Sequence, residues 1–189
     1  MSHLLKNFKS LIFHDRKRPI PAFSNHILYI HNQKYLLCHA LVPDIPEMLA
    51  LRQQVAPAEI AWNFSVFEAE VKNTQQKLYL LLRFQDRLVA FIGAEFYLHK
   101  AEIHVTNLAV AKEFQRQGLA TNLLASLEEL GRQNNYRTIS LEVRKSNLIA
   151  QRLYIKFGFL GIGTLKSYYQ SNQEDVVVMK YLVKRKTKG

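Results

Sequence analysis

The 189-residue sequence has little of several features that would assign it to a special class of protein. Its single cysteine, Cys38, excludes an internal disulfide framework and a paired-cysteine metal or redox site, and it fits a reducing compartment. Only seven glycines and five prolines exclude collagen-like and low-complexity chains, and a hydrophobic fraction of 48% excludes a disordered one. No apolar run reaches the roughly 18 residues of a membrane-spanning helix. We therefore expect a soluble, cytoplasmic protein built around one folded domain.

The first 18 residues do not have the pattern of a secretory signal, because Lys6, Lys9 and Asp15 interrupt the apolar residues. These apolar residues recur at helical spacing opposite the lysines: Leu4, Leu5, Phe8, Leu11 and Ile12. The spacing predicts a short basic amphipathic helix. Such a helix could dock on the protein's own body or lie on a membrane surface.

The formal net charge of +11 is concentrated at the two ends of the chain. Residues 1–38 carry six lysines and arginines against one acid, and residues 180–189 carry five against none. The residues between them are almost neutral, with 15 bases against 14 acids. The basic ends could make weak contacts with RNA or an anionic membrane, or they could be solubilising tails.

Apolar patterns predict a mixed order of strands and helices. The predicted strands are HILYI, YLLCHALV, LYLLLRF, LVAFIGAEFYL, EIHVTNLAV, TISLEV, GIGTLK and DVVVMKYLV. Helices are predicted after Asp44, over residues 64–71, over 117–135, and from Asn147 to a stop at Gly158. Asp44 and Glu47 have the spacing of a capping box, so we expect their side chains to close the first turn of their helix.

The segment with the clearest chemistry is NLAVAKEFQRQGLATNLLASLEEL. A strand ends at Val110, and a polar loop then leads into an amphipathic helix. Because a helix start offers unpaired N–H groups and the positive end of the helix dipole, it suits an anion such as a diphosphate. Gly118 would let a ligand approach the backbone, and Arg116 would add positive charge. The alternative is an ordinary strand-to-helix loop.

The same segment resembles the GCN5-related N-acetyltransferase (GNAT) superfamily. Its acetyl-CoA signature, Q/R-x-x-G-x-G/A, is matched by Gln115, Gly118 and Ala120. The similarity extends to the RimI-type ribosomal-protein alanine N-acetyltransferases through SLEVRKSNLIAQRLYIKFGF and SYY…EDVVVM, and it covers about residues 36–183. It implies three parts: a basic extension at 1–35 with a helix and an extra strand, an acetyltransferase domain at 36–183, and a basic tail at 184–189.

The resemblance implies an α/β fold with one mixed, largely antiparallel twisted sheet. The sheet would have about six to seven strands, splayed at its centre, with helices on both faces. The gap would admit the pantetheine arm of acetyl-CoA, the co-substrate, and no metal is expected. The residues implied to bind acetyl-CoA are Leu108, Ala109, Val110, Arg116, Gln117, Gly118, Leu119, Ala120, Thr121 and Asn147.

The resemblance also implies two residues for the acid–base chemistry. Glu142 resembles the general base that deprotonates the attacking amine, and Tyr154 resembles the general acid that protonates the departing thiolate. Without the resemblance, Glu142 would be interpreted as a surface carboxylate paired with Arg144, and Tyr154 as a packing aromatic. Backbone donors near Val110 would stabilise the oxyanion.

The acceptor groove would be lined by Trp62, Tyr168, Tyr169, Glu174 and Asp175. An acidic pair there suits a cationic peptide N-terminus, and the resemblance implies an N-terminal alanine of a ribosomal protein. A lysine or a small amine is the alternative acceptor. A non-catalytic acyl-CoA-binding module, tethered to RNA or a membrane, is the alternative function. The oligomeric state stays open.

Two other clusters of reactive side chains lack the pattern of a catalytic or metal site. Cys38 and His39 are adjacent on a predicted strand and point to opposite faces, so a thiol nucleophile is not expected there. His99, Glu102 and His104 lie around a turn into a strand without the spacing of metal ligands.

Overall fold

The computed structural model describes residues 20–56, 62–169 and 174–184. Its strands are β1 (His26–Ile30), β2 (Gln33–His39), β3 (Lys77–Phe84), β4 (Arg87–Tyr97), β5 (Glu102–Val110), β6 (Thr138–Arg144), β7 (Leu160–Tyr169) and β8 (Glu174–Leu182). Its helices are α1 (Ile45–Val55), α2 (Phe64–Lys72), α3 (Leu119–Gln133) and α4 (Leu148–Phe157). Among these described residues, no helix has both the length and the apolar character needed to cross a membrane.

All eight described strands form one sheet in the order β1-β2-β3-β4-β5-β6-β8-β7. Every neighbouring pair is antiparallel except β5 and β6, which are parallel. The predicted mixed, largely antiparallel sheet is confirmed. The strand count exceeds the expected six to seven because β1 joins the same sheet as an edge strand.

Two hydrophobic cores cover the two faces of the sheet, as expected for helices on both sides. Helix α3 buries one side, which includes Leu123 and Leu127, against Ile139 and Leu141 of β6. Helices α1 and α2 bury Met48 and other side chains against the opposite face. Strand alternation therefore assigns each side chain of β5 and β6 to one of the two faces.

The predicted basic extension is described only from residue 20 onward. The expected extra strand is β1, and Ile20, Phe23 and Leu28 pack against the core beneath α3. The expected boundary between residues 35 and 36 falls inside β2. The predicted amphipathic helix and residues 185–189 of the basic tail lie outside the described residues.

The predicted capping box at the start of α1 is wrong. Asp44 precedes the helix, but its carboxylate accepts from the backbone N–H of Leu41 at 2.7 Å and from Arg83 at 2.6 Å. Glu47 likewise accepts from Arg83 at 2.7 Å and from the backbone N–H of Leu88 at 3.1 Å. Arg83, a half-buried arginine on the neighbouring hairpin, binds both carboxylates, so they attach α1 to β3 and β4 instead of capping the helix.

Candidate active site

The sheet opens between β5 and β6, where the resemblance implied a splay. The two strands are paired only from Glu102 to Val105 on β5, against Thr138 to Leu141 on β6. A bulge bends β5 at this point, because Gly93 pairs with Asn107 and Ala94 with Val105, which leaves Thr106 as an extra residue. Beyond the bulge, the ends of β5 and β6 form the two sides of a gap.

Backbone groups of β5 face this gap in alternation. The N–H of Ala111 donates to the carbonyl of Val89 at 2.8 Å, and Ala109 pairs with Phe91 in the same register. In an antiparallel ladder this pattern directs the backbone groups of Ala109 to β4 and those of Leu108 and Val110 away from it. The Val110 carbonyl accepts from the Gln115 side chain at 3.0 Å. Leu108 and Val110 therefore present backbone groups towards the gap.

The start of α3 has the geometry of an anion site. Gly118 precedes the helix at φ +83°, in the left-handed region, and Arg116 two residues earlier is also left-handed at φ 64°. Within the described part of the chain, no side chain caps this helix start, so the first N–H groups after Gly118 stay available. The side chain of Asn122 donates to the Gly118 carbonyl at 3.0 Å and fixes the turn.

The turn between β1 and β2 lies beside this helix start, a contact that the sequence did not indicate. A Cβ built on Gly118 would be 3.5 Å from Nε2 of His31, an ordinary contact distance. Residue 118 is therefore constrained by its left-handed backbone conformation and by the space that a bound ligand needs. A clash with β1 is not what excludes a side chain here.

Glu142 lies on β6 with its side chain on the α1 and α2 face, since Leu141 and Val143 pack into the opposite core. Its Oε2 is 3.1 Å from Nε2 of His104, and the two side chains are 24% and 20% exposed. The alternative interpretation pairs Glu142 with Arg144. This partner is wrong, because Arg144 donates to Glu174 at 2.9 Å.

Tyr154 lies on α4 and is only 7% exposed, within the core on the α3 and α4 face. Its ring packs 5.6 Å from that of Phe159. Burial raises the pKa of Tyr154 to about 12, so its hydroxyl keeps its proton at neutral pH. Glu142 and Tyr154 thus lie on opposite faces of the sheet.

Asn147 stands between β6 and α4 and caps the helix. Its Oδ1 accepts from the N–H of Ala150 at 3.1 Å, so the cap uses the oxygen and not the amide nitrogen. Gln151 of the same helix donates to the carbonyls of Arg144 and Lys145 at 3.0 and 2.9 Å. These bonds hold the loop that follows Glu142.

The predicted acceptor-groove residues fall into two groups. Trp62 lies beside α2, with its ring 4.9 Å from that of Phe67 and the Arg52 guanidinium 5.3 Å from its centroid. Tyr168 and Tyr169 finish β7, an edge strand of the sheet, where the backbone of Tyr169 pairs with that of Glu174. Asp175 lies 3.5 Å from Lys145. The carboxylates of the acidic pair are therefore each held by a basic neighbour.

A polar network next to Glu142 was missed by sequence reasoning. Nδ1 of His104 lies 3.0 Å from the Ser140 hydroxyl, which donates to Glu102 at 3.0 Å. Glu102 also pairs with Lys180 at 2.7 Å. His104 and Glu102 belong to the cluster considered for a metal, and the described residues contain no group of three metal-ligating side chains. Only the pairing register of β5 with β6 brings His104 to Glu142, and this register is not legible in sequence.

Comparisons with known proteins bear on the family and the fold of the chain. A sequence model described as the acetyltransferase (GNAT) family matches residues 45–159. The chain is 39% identical over 112 residues to the [ribosomal protein bS18]-alanine N-acetyltransferase of Haemophilus ducreyi, covering 57% of this chain and 76% of that protein. The protein of the same name from Salmonella typhimurium is 36% identical over 107 residues, covering 56% and 71%.

Solved structures show the same fold. The ribosomal-protein-S18-alanine N-acetyltransferase of Escherichia coli superposes with a TM-score of 0.71 at 25% identity, over 82% of this chain and 97% of that one. A streptothricin acetyltransferase of Bacillus anthracis, solved in complex with acetyl coenzyme A, gives a TM-score of 0.55 at 18% identity, over 59% and 66%. This second likeness extends to the fold alone.

Proposed function

The chain belongs to the GNAT acetyltransferase family and is an acetyl-CoA-dependent N-acetyltransferase, and we propose that its acceptor is the α-amine of a protein N-terminus. An N-terminal alanine of ribosomal protein S18 is the candidate of choice, because relatives at 36–39% identity are named for that reaction. A ribosomal acceptor also implies that the reaction takes place in the cytoplasm.

The observation that supports the proposal is the position of Glu142, one residue beyond Leu141, where the pairing of β6 with β5 ends, with a partly exposed side chain on the α1 and α2 face. An α-amine has an ordinary pKa of about 7.7–8.0, so its deprotonation at neutral pH is a small step. A carboxylate at this place takes the proton from the amine, directly or through a water.

The described residues fit acetyl-CoA, which supplies a thioester-activated acetyl group. Leu108 and Val110 present backbone groups to its pantetheine arm, with Asn147 on the other side of the gap. The N–H groups that follow Gly118 suit its diphosphate. The residues assigned to this role are those of the helix start: Arg116, Gln117, Gly118, Leu119, Ala120 and Thr121.

Tyr154 completes the acid–base chemistry from the opposite face. Its pKa of about 12 keeps the phenol protonated, so it donates to the sulfur as the carbon–sulfur bond breaks. N–H groups of β5 near Val110 stabilise the negative charge that builds on the carbonyl oxygen.

In the acceptor groove, a cationic peptide N-terminus competes with Arg144 for Glu174. It competes with Lys145 for Asp175. Trp62 and the two residues that end β7, Tyr168 and Tyr169, are further candidates for acceptor contacts in this proposal. The acidic pair would thereby favour a peptide end with a free amine.

A panel of short peptides that differ in the first residue tests the acceptor. Each is incubated with acetyl-CoA and the protein, and its mass and modified position are read by mass spectrometry. The proposal expects acetylation of the α-amine of alanine-first peptides, the S18 N-terminal sequence above all. Modification confined to lysine side chains or small amines would replace this acceptor, and no transfer to any amine would favour a non-catalytic acyl-CoA-binding module.

A further inference from the structure

His104 lies at the centre of a continuous chain of polar contacts that begins at the general base. Its Nε2 is 3.1 Å from Glu142, and its Nδ1 is 3.0 Å from the Ser140 hydroxyl. That hydroxyl is 3.0 Å from Glu102, which is 2.7 Å from Lys180. The five side chains come from β5, β6 and β8 and share the α1 and α2 face of the sheet.

Glu102 decides the direction of the hydrogen bonds. Burial opposes its charge, but Lys180 and the hydroxyl groups of Ser140 and Thr138 together hold the pKa of Glu102 below its ordinary value. Glu102 is therefore a carboxylate and an acceptor only. The one hydrogen of the Ser140 hydroxyl goes to Glu102, so Ser140 must accept from His104.

A hydrogen count then fixes the state of the imidazole. Nδ1 of His104 carries the hydrogen that Ser140 accepts, which leaves Nε2 as the basic nitrogen, directed at Glu142. When a proton also lies between Nε2 and Glu142, each of the four contacts from Glu142 to Lys180 holds a hydrogen.

Other charged groups surround this imidazole. Glu95 of β4 is the cross-strand neighbour of His104, and the Tyr97 ring is 6.3 Å away. Lys77 pairs with Glu95 at 3.7 Å. With Glu102 and Glu142, three carboxylates surround His104, against the two ammonium groups of Lys77 and Lys180.

We infer that His104 is a second member of the catalytic base, on which the proton of the acceptor amine comes to rest. The inference rests on the proposed role of Glu142. The amine N–H bond breaks, and Glu142 gains the proton as a carboxylic acid. Glu142 then passes a proton to Nε2 of His104, returns to a carboxylate, and leaves an imidazolium held by Ser140 and Glu102. The imidazolium, which is partly exposed, later releases its proton to water.

Chemical rescue of His104→Ala tests the inference. We expect kcat to fall about 10- to 100-fold while KM for acetyl-CoA changes less than about twofold. Added imidazole should restore kcat in proportion to its free-base concentration, because a small base can enter the space left by the ring. His99→Ala, at an exposed histidine, should keep the wild-type rate and show no response to imidazole.

Ser140→Ala tests the tautomer of His104 separately from its role as a base. It removes the acceptor of the Nδ1 hydrogen and leaves the imidazole, so kcat should fall about three- to tenfold without rescue by imidazole. A His104→Ala enzyme with wild-type kcat, or one whose loss imidazole cannot restore, would overturn the inference.

A measurement on the wild-type protein needs neither a variant nor an acceptor. In ¹⁵N-histidine spectra followed over pH, Nδ1 of His104 should carry a hydrogen throughout, and Nε2 should gain and lose the proton. A neutral His104 protonated on Nε2 would contradict the inference even if peptide acetylation succeeds. Failure of every peptide in the panel would reject the proposed acceptor and leave this spectrum as the test of His104.

Discussion

The two sides of the gap differ in what builds them. On the side proposed for the acetyl-CoA diphosphate, the candidate site consists of backbone groups along one continuous stretch of chain, from Val110 to Thr121. On the side proposed for the acceptor amine, it consists of side chains from three strands that are far apart in sequence, such as His104, Glu142 and Lys180. A backbone site tolerates many side chains but few changes of conformation, whereas the side-chain site depends on each individual group.

Glu142→Gln should have the largest effect, on the side-chain part of the site. The amide keeps the shape of the carboxylate but cannot accept the proton, so kcat should fall about 10²- to 10⁴-fold. The dissociation constant for acetyl-CoA, measured by calorimetry, should stay unchanged. Asp86→Asn, which neutralises an exposed carboxylate in the β3–β4 turn, is the matched control. Wild-type turnover in Glu142→Gln would remove Glu142 as the base.

Gly118→Asp should disrupt the part of the site that is built from backbone groups. Aspartate would be strained at φ +83° and would add negative charge where the diphosphate binds, so we expect acetyl-CoA affinity to fall about 10- to 100-fold. Gly163→Asp introduces the same side chain on β7, where a Cβ would have no neighbour within 4 Å, and should bind normally. Equal affinities for the two variants would place the diphosphate elsewhere.

Tyr154→Phe should have a smaller effect, since a thiolate is a fair leaving group without a proton donor. We expect kcat to fall about tenfold. The raised pKa of Tyr154 predicts that the phenol keeps its proton as pH rises, so wild-type kcat should not decline up to about pH 10. A decline that begins nearer neutral pH and disappears in Tyr154→Phe would show a lower pKa than burial implies.

Deletion of residues 1–18 and 184–189 should have the smallest effect on the chemistry. These segments hold most of the excess positive charge, so their loss should weaken retention on RNA or on anionic vesicles. The value of kcat should change less than about twofold. Retention that survives the deletion would show that the basic ends are not what binds these polyanions.

Sequence patterns predicted the elements well, because strands such as EIHVTNLAV and the apolar face of α3 are determined by local periodicity. The left-handed Gly158 was likewise confirmed as the end of α4. The errors concern side-chain partners. Asp44 and Glu47 bind Arg83, 39 and 36 residues away, and Glu142 contacts His104, which depends on strand register. Neither the distance nor the register leaves a local signal in the chain.

A crystal structure with acetyl-CoA bound tests the central claim most directly. The account predicts the diphosphate on the N–H groups that follow Gly118, the pantetheine arm along Leu108 and Val110, and the acetyl carbonyl between Glu142 and Tyr154. A diphosphate bound anywhere other than the start of α3, or an acetyl group outside the gap between β5 and β6, would contradict it.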